Sequence, residues 1–268
     1  MVDSKNVGPF EVYAVRLGRV ERAARDNFLN ARNLEGGMML DFDMWFLRRD
    51  NLVIAVDTGM SDRAGSQRKR YLDVTPRGAA AALGIDPDAV RNLVITHLHY
   101  DHAGRIDEFP AAQVWLQEKE LEYVFGPDMR HPALNHFFDV EDLKIVLDRI
   151  FASSVTAISG SRTIVPGVEL HLIGGHTRGL QVVRVFTERG WVVLASDALH
   201  YYANYDRRDP FPAIVDLPQM LNGYLRIEAL ADSVGHIIPG HDPLVMDRYA
   251  SDELPDGIVA LHRPPRAF

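Results

Sequence analysis

The segment Leu93-Val94-Ile95-Thr96-His97-Leu98-His99-Tyr100-Asp101-His102-Ala103-Gly104 decides how the rest of the chain is read. Residues 93–96 form a short apolar run bounded by polar residues, the pattern of a buried strand. In an extended segment alternate side chains face one side, so His97, His99 and Asp101 are expected to converge. His102 then turns to a neighbouring position as the chain passes from strand into helix. Asp101 is a helix-capping residue type and Ala103 a helix former. A lone His is more often a surface or satisfied core residue than a ligand. Four ligand-type residues within six positions are a different matter: buried together without an ion, they would lose solvation that nothing replaces. The end of a strand is also where binding residues are commonly displayed. The segment therefore reads as a metal-binding loop.

Working outward, the stretches 10–17, 39–47 and 51–56 read as strands, the last two joined by the turn Arg48-Arg49-Asp50-Asn51. Asp57-Thr58-Gly59 closes the third strand. Thr75-Pro76 opens a helix that Gly84 stops, and Asp86-Pro87 is a second helix start. Beyond the His cluster, 113–116 reads as a strand and 118–125 as a helix. The stretch 126–151 is rich in aromatic residues and His, with helical periodicity over 140–150. Strands are expected over 168–173, 181–187 and 191–195, a helix over 218–231, and a short strand over 236–238. Strands open each half and helices follow, which suggests two similar α+β halves with sheets packed face to face. No linker-like stretch divides them, so residues 1–268 are expected to form one domain.

Hydrophobic residues make up 47% of the chain and charged residues 25%, an ordinary globular balance. A net charge of -8 argues against a nucleic-acid backbone as partner. The basic stretch 63–70 reads as a solvated loop. The absence of Cys excludes disulfides, thiolate nucleophiles and Cys ligands. No leader pattern opens the chain and no apolar run is long enough to span a bilayer, so the cytoplasm is the expected compartment, with no membrane partner.

His97-Leu98-His99-Tyr100-Asp101-His102 resembles the H-x-H-x-D-H signature of the metallo-β-lactamase superfamily. That family needs three further ligands, each in its own loop. Gly174-Gly175-His176, Ser196-Asp197-Ala198 and Pro239-Gly240-His241 match them. The resemblance covers nearly the whole chain and implies the αβ/βα four-layer sandwich. It implies that one ion takes His97, His99 and His176, that the other takes Asp101, His102 and His241, and that Asp197 bridges them. Nitrogen and oxygen ligands suit Zn(II), with Fe, Mn or Co as alternatives. Val56-Asp57-Thr58-Gly59 matches the turn that buttresses the ligand loop, which makes Asp57 either a support for a ligand or a plain turn cap.

The resemblance implies a hydrolase in which a hydroxide bridging two metal ions attacks a carbonyl, with Asp101 in the catalytic group. Within the superfamily the chain is most similar to the N-acyl-homoserine lactonases, the quorum-quenching branch. About a hundred residues precede the His cluster, Asp occupies the bridging position, and only about 27 residues follow His241. One position departs from that branch: His200 stands three residues after Asp197, where those lactonases commonly carry a Tyr. His200 is read as a catalytic helper, by hydrogen bond or as general acid; Tyr201 or Tyr202 could substitute from a shifted loop. Tyr100, Phe28, Met38, Phe137 and Phe138 are candidates for an apolar wall around a small-molecule substrate. His131 and His136 are weaker pocket candidates, His171 and His236 read as ordinary structural residues, and His262 is expected to be exposed in a Pro-rich tail. The leading expectation is a lactonase. The alternatives are a hydrolase of another ester, thioester, amide or phosphotriester, then a redox protein, then a non-catalytic module. Family resemblance is compatible with a homodimer.

Overall fold

A computed structural model describes residues 8–31 and 33–266. Residues 1–7, the start of the segment searched for a leader, lie outside the described residues. The strands are β1 (Glu11–Ala23), β2 (Gly37–Arg49), β3 (Leu52–Val56), β4 (Asn92–Val94), β5 (Gln113–Gln117), β6 (Val155–Ile158), β7 (Ser161–Val165), β8 (Val168–Leu172), β9 (Gln181–Thr187), β10 (Gly190–Leu194), β11 (Ile237–Ile238) and β12 (Ile258–Ala260). They form a 7-stranded sheet in the order β12-β1-β2-β3-β4-β5-β6 and a 5-stranded sheet in the order β11-β10-β9-β8-β7. Pairing is antiparallel from β12 to β3 and parallel from β3 to β6; the second sheet is antiparallel apart from β10 with β11.

The period of two explains how each strand serves two cores. In β1, Val12 and Ala14 face the interior between the sheets, where they meet Trp45, Leu170, Val183 and Leu194. Tyr13, Val15 and Leu17 face the other way, toward Phe46 and Leu93. Where both faces are buried, as in β3 and in residues 192–194 of β10, the strand reads as a nearly unbroken apolar run.

The helices are α1 (Asp62–Arg68), α2 (Pro76–Ala82), α3 (Glu118–Val124), α4 (Pro132–Asn135), α5 (Val140–Phe151), α6 (Tyr202–Arg207), α7 (Leu217–Leu230) and α8 (Leu244–Arg248). Ala79 and Ala80 of α2, Tyr123 and Val124 of α3 and Val146 of α5 cover the outer face of the larger sheet. Tyr224 and Ile227 of α7 pack on Val182 and Val193 of the smaller one. Helices, sheet, sheet and helices are therefore stacked as the αβ/βα four-layer sandwich.

Several local expectations change. The stretch 63–70 is not a solvated loop: Asp62–Arg68 is helical, capped by Ser61, whose hydroxyl accepts from Ala64 N. Gly65 looks like a breaker, but a Cβ there would lie 2.5 Å from the Arg70 carbonyl, so it serves close packing. The chain does not enter a helix at His102. Thr58 N and Oγ1 both donate to the His102 carbonyl, at 2.7 and 3.1 Å, and hold the segment in turns that end in a short 3-10 helix at Ile106–Glu108. Asp86-Pro87 likewise opens only a 3-10 turn, Pro87–Ala89. His262 is not exposed: it is buried, and its Nδ1 accepts from Val12 N at 3.0 Å.

Candidate metal centre

Four loops bring the chemistry-bearing residues together, each leaving the end of a strand: 97–102 after β4, His176 after β8, Asp197 after β10 and His241 after β11. Two glycines explain how the loops fit. Gly175 has φ +90, and a Cβ on it would lie 2.5 Å from Met220 N, so the His176 loop lies directly against α7. A Cβ on Gly240 would lie 2.7 Å from the Ser196 carbonyl carbon, so the loops of His241 and Asp197 touch backbone to backbone.

Asp197 stands at the middle. Its Oδ2 lies 3.1 Å from His176 Nε2 and 3.7 Å from His97 Nε2. Its Oδ1 lies 2.9 Å from His241 Nε2 and 3.1 Å from His102 Nε2. His99 turns Nδ1 inward, 2.9 Å from His176 Nε2. Donor atoms of His97, His99, His176 and Asp197 lie within 4.8 Å of one another, as do those of Asp101, His102 and His241. The alternation expected of His97, His99 and Asp101 is thus broken. Strand β4 ends at Val94, and Asp101 joins His102 and His241 while His97 and His99 join His176.

These residues fit a pair of metal ions. The Nε2 atoms of His97 and His102 are buried without a hydrogen-bond partner. Tetrahedral bonds of about 2.0–2.1 Å require donors about 3.3 Å apart, and the separations around Asp197 bracket that value. The outward nitrogens are held: His102 Nδ1 by Asp57 Oδ2 at 2.8 Å, His176 Nδ1 by the Ala213 carbonyl at 2.7 Å, and His241 Nδ1 by the Asp41 carbonyl at 2.7 Å. Such contacts fix which ring nitrogen faces an ion. Asp57 also accepts from Thr96 N and Thr96 Oγ1, at 2.7 and 2.8 Å, so it is more than a turn cap. Asp57 and Ser196 both carry positive φ, +62 and +45, strain that the surrounding bonds hold in place.

Charge is distributed unevenly. Burial, reinforced by neighbouring imidazoles, pushes His97 and His99 well below the ordinary range, leaving them neutral, as ligation requires. Burial also opposes charge on His102 and His241, but Asp197 outweighs it and both are raised, His102 with help from Asp57. Burial would raise Asp197; His200, His102 and His241 hold it well below the carboxylate range instead.

His200 lies inside this cluster. Its Nε2 is 3.1 Å from Asp197 Oδ2, and its ring stacks on Phe211 at 3.8 Å. Burial pushes it down to about 3 against the pull of Asp197, so the imidazole is neutral at ordinary pH. Neither Tyr201 nor Tyr202 takes its place: the Tyr201 hydroxyl donates to the Met39 carbonyl and Tyr202 packs under Arg248. Tyr100 and Phe137 line the pocket over the donors. Phe138 packs edge-on against His99, and Phe28 is buried beneath Arg207. His136 lines an adjoining cavity, whereas His171 pairs with Glu169 and His236 with the Arg189 carbonyl.

Sequence reasoning missed Glu120, a fully buried carboxylate that accepts from Leu98 N at 2.9 Å, Thr177 Oγ1 at 2.7 Å and Gly179 N at 3.0 Å. It also missed Phe211, Arg22 and Arg70 at the pocket. Glu120 sits in an ordinary amphipathic helix, and no local signal marks it.

The chain is similar to proteins with the same architecture. An N-acyl homoserine lactonase, AiiA, of Bacillus thuringiensis subsp. kurstaki is 27% identical over 229 residues, covering 78% of this chain and 85% of the relative. A probable metallo-hydrolase, Mb2322c, of Mycobacterium bovis is 31% identical over 236 residues, covering 77% and 73%. A solved N-acyl homoserine lactone hydrolase with N-hexanoyl-L-homoserine at its metal centre superposes with TM-score 0.74 over 90% of this chain and 96% of that one, at 23% identity. The family model of the metallo-beta-lactamase superfamily matches residues 43–251. That span includes every donor gathered around Asp197, and the chain belongs to the metallo-beta-lactamase superfamily.

Proposed function

We propose that this metal-dependent hydrolase is a lactonase, opening a lactone ring at two divalent ions, with Zn(II) the first choice for a nitrogen and oxygen donor set. The observation that carries the reading is the division of Asp197, one oxygen toward His97 and His176 and the other toward His102 and His241. Similarity to N-acyl homoserine lactonases supports the choice of a lactone. His97, His99 and His176 would hold one ion, Asp101, His102 and His241 the other, and Asp197 both. Two ions so held would supply a nucleophilic water at neutral pH and would polarise the carbonyl.

The chain's own residues do the rest. Asp57, Ala213 and Asp41 orient the ligating rings. Asp101, half-buried and lining the pocket, is placed to take up the proton lost by the attacking water. His200, stacked on Phe211 with its Nε2 beside Asp197, is placed to help the reaction by hydrogen bond or as general acid. A cavity of about 180 Å³ opens beside His99 and His176, and Leu134, Phe137, Ile214 and Val215 give it an apolar wall for the hydrocarbon part of a substrate.

The test is hydrolysis of a lactone panel by pH-stat, with metal content measured on the same sample. Turnover with about two metals per chain is the expected result. Two metals without lactone turnover would move the function to another ester, thioester or phosphotriester.

A further inference from the structure

Two arginines reach the donor pocket, Arg22 from β1 and Arg70 from the segment after α1. Their hydrogen bonds all go to uncharged acceptors. Arg22 donates to Asn27 Oδ1 at 3.0 Å and to the Asp26 carbonyl at 3.3 Å, and Arg70 donates to the Tyr100 hydroxyl. Among the described residues neither forms an ion pair, whereas Arg16, Arg48, Arg77, Arg105 and Arg184 each pair with a carboxylate. The carboxylates of the same pocket, Asp101 and Asp197, belong to the donor groups. Arg22 lies 5.0 Å from the centroid of Phe211, the ring stacked on His200. Arg70 lies 5.8 Å from that of Phe42. Aromatic rings therefore flank both guanidinium groups, and among the described residues Arg22 Nη1 and Arg70 Nη2 make no hydrogen bond.

Two like charges facing one partly buried pocket repel each other, and burial adds to the cost. The proton affinity of Arg22 registers both effects: it is lowered by burial and then by Arg70. An oxyanion between two guanidinium forks would remove that cost and gain charge-assisted hydrogen bonds. A neutral substrate would leave both unpaired.

We propose that Arg22 and Arg70 form an oxyanion clamp beside the metal centre, so that the favoured substrate is a lactone bearing a carboxylate or phosphate group. This inference rests on the lactonase reading and narrows it: uncharged acyl lactones would be secondary substrates. The clamp binds and selects; it takes no part in bond cleavage.

The metal-loaded enzyme is assayed on a carboxylated lactone, its methyl ester and a phosphorylated lactone, as wild type and as Arg22→Gln/Arg70→Gln. The wild type is expected to favour at least one anionic lactone over the ester by tenfold or more in kcat/KM, chiefly through KM. The double variant is expected to lose that preference, and Arg22→Lys/Arg70→Lys to recover part of it. The carboxylate and phosphate arms tell which oxyanion fits. A wild type without preference, or a double variant that keeps it, overturns the clamp. If no lactone of either kind is opened, the lactonase reading fails, and calorimetry decides the clamp separately. Glutarate and inorganic phosphate are titrated into both metal-loaded proteins, with glutaramide as the neutral control. At least tenfold weaker binding of one anion in the double variant supports the clamp, and equal affinities for both overturn it. Melting curves of each variant identify any that fail to fold.

Discussion

Thr177 donates its hydroxyl to Glu120 Oε2 at 2.7 Å, and through that bond helix α3 grips the loop that carries His176. The other oxygen of Glu120 accepts from Leu98 N, between His97 and His99. One buried carboxylate thus sets the spacing of two ligand loops that are far apart in sequence.

Glu120→Gln exchanges one acceptor oxygen for a donor, which must then face Leu98 N on one side or Gly179 N and Thr177 on the other. The variant is expected to bind metal about 10–100-fold more weakly and to lose about 1–3 kcal/mol of stability. Competition with a chromophoric chelator measures the first and denaturant unfolding the second. Wild-type metal affinity in a folded variant would mean that the tether does not position the ligands.

Stripping the metals is expected to abolish turnover and lower the melting temperature, because ions that bind only the folded state add about 2.7 kcal/mol at a hundredfold excess over Kd. Reloading should also release protons. His102 and His241 have raised proton affinity beside Asp197, and both must give up the inward proton to ligate. Calorimetric loading in buffers of different ionisation enthalpy counts these protons, and loading without release would contradict the donor assignment.

Asp101 and Asp57 should fail differently. Asp101 is half-buried and its carboxylate makes no hydrogen bond among the described residues, so Asp101→Ala is expected to fold normally and lose turnover by about a thousandfold, as removal of a metal ligand would. Asp57→Ala leaves Thr96 N and His102 Nδ1 without partners and should cost about 2–4 kcal/mol as well as metal affinity. His200→Ala is expected to lower kcat about tenfold, with no change in metal content. Unchanged kcat in that variant would remove His200 from the mechanism.

Asp142 supplies a pH dependence remote from the donors. It is buried on α5, where its Oδ2 accepts from Ser61 Oγ at 3.1 Å. Burial pushes its pKa from 3.8 up to about 6, against the pull of Ser61 and of Arg63 and Arg68. Between these values the folded state binds the proton more tightly than the unfolded chain. This group therefore costs stability as pH rises through that window, and the cost is constant above it. Asp142→Asn keeps an acceptor for Ser61 and removes the charge. It should raise stability by about 2 kcal/mol near neutral pH and by almost nothing near pH 4, as read from thermal melts across pH.

Much of the architecture was legible in the residues. Turn signals and apolar runs located the β2–β3 hairpin and the strands β4, β5, β8, β9 and β10 to within a few positions. Four ligand-type residues within six positions marked 97–102 as a metal-binding loop. The strands that escaped, β6, β7 and β12, are short. In β7 the first three residues, Ser161, Arg162 and Thr163, are exposed at the sheet edge, so no apolar alternation announces them.

Local chemistry by itself determined the layered α+β class and the donor cluster at 97–102, because spacing, side-chain period and turn residues act over a few positions; the loops of His176, Asp197 and His241 were legible only through the family resemblance. The parting of Asp101 from His99 and the central place of Asp197, which the resemblance implied and the alternation along the chain did not, take their geometry from the tertiary structure; only that structure decided that Glu120 ties two loops together and that Arg22 and Arg70 share a pocket. Each of these is a contact between segments distant in sequence. Burial and approach across the fold, and not any pattern along the chain, set which atoms meet and which charges go unpaired.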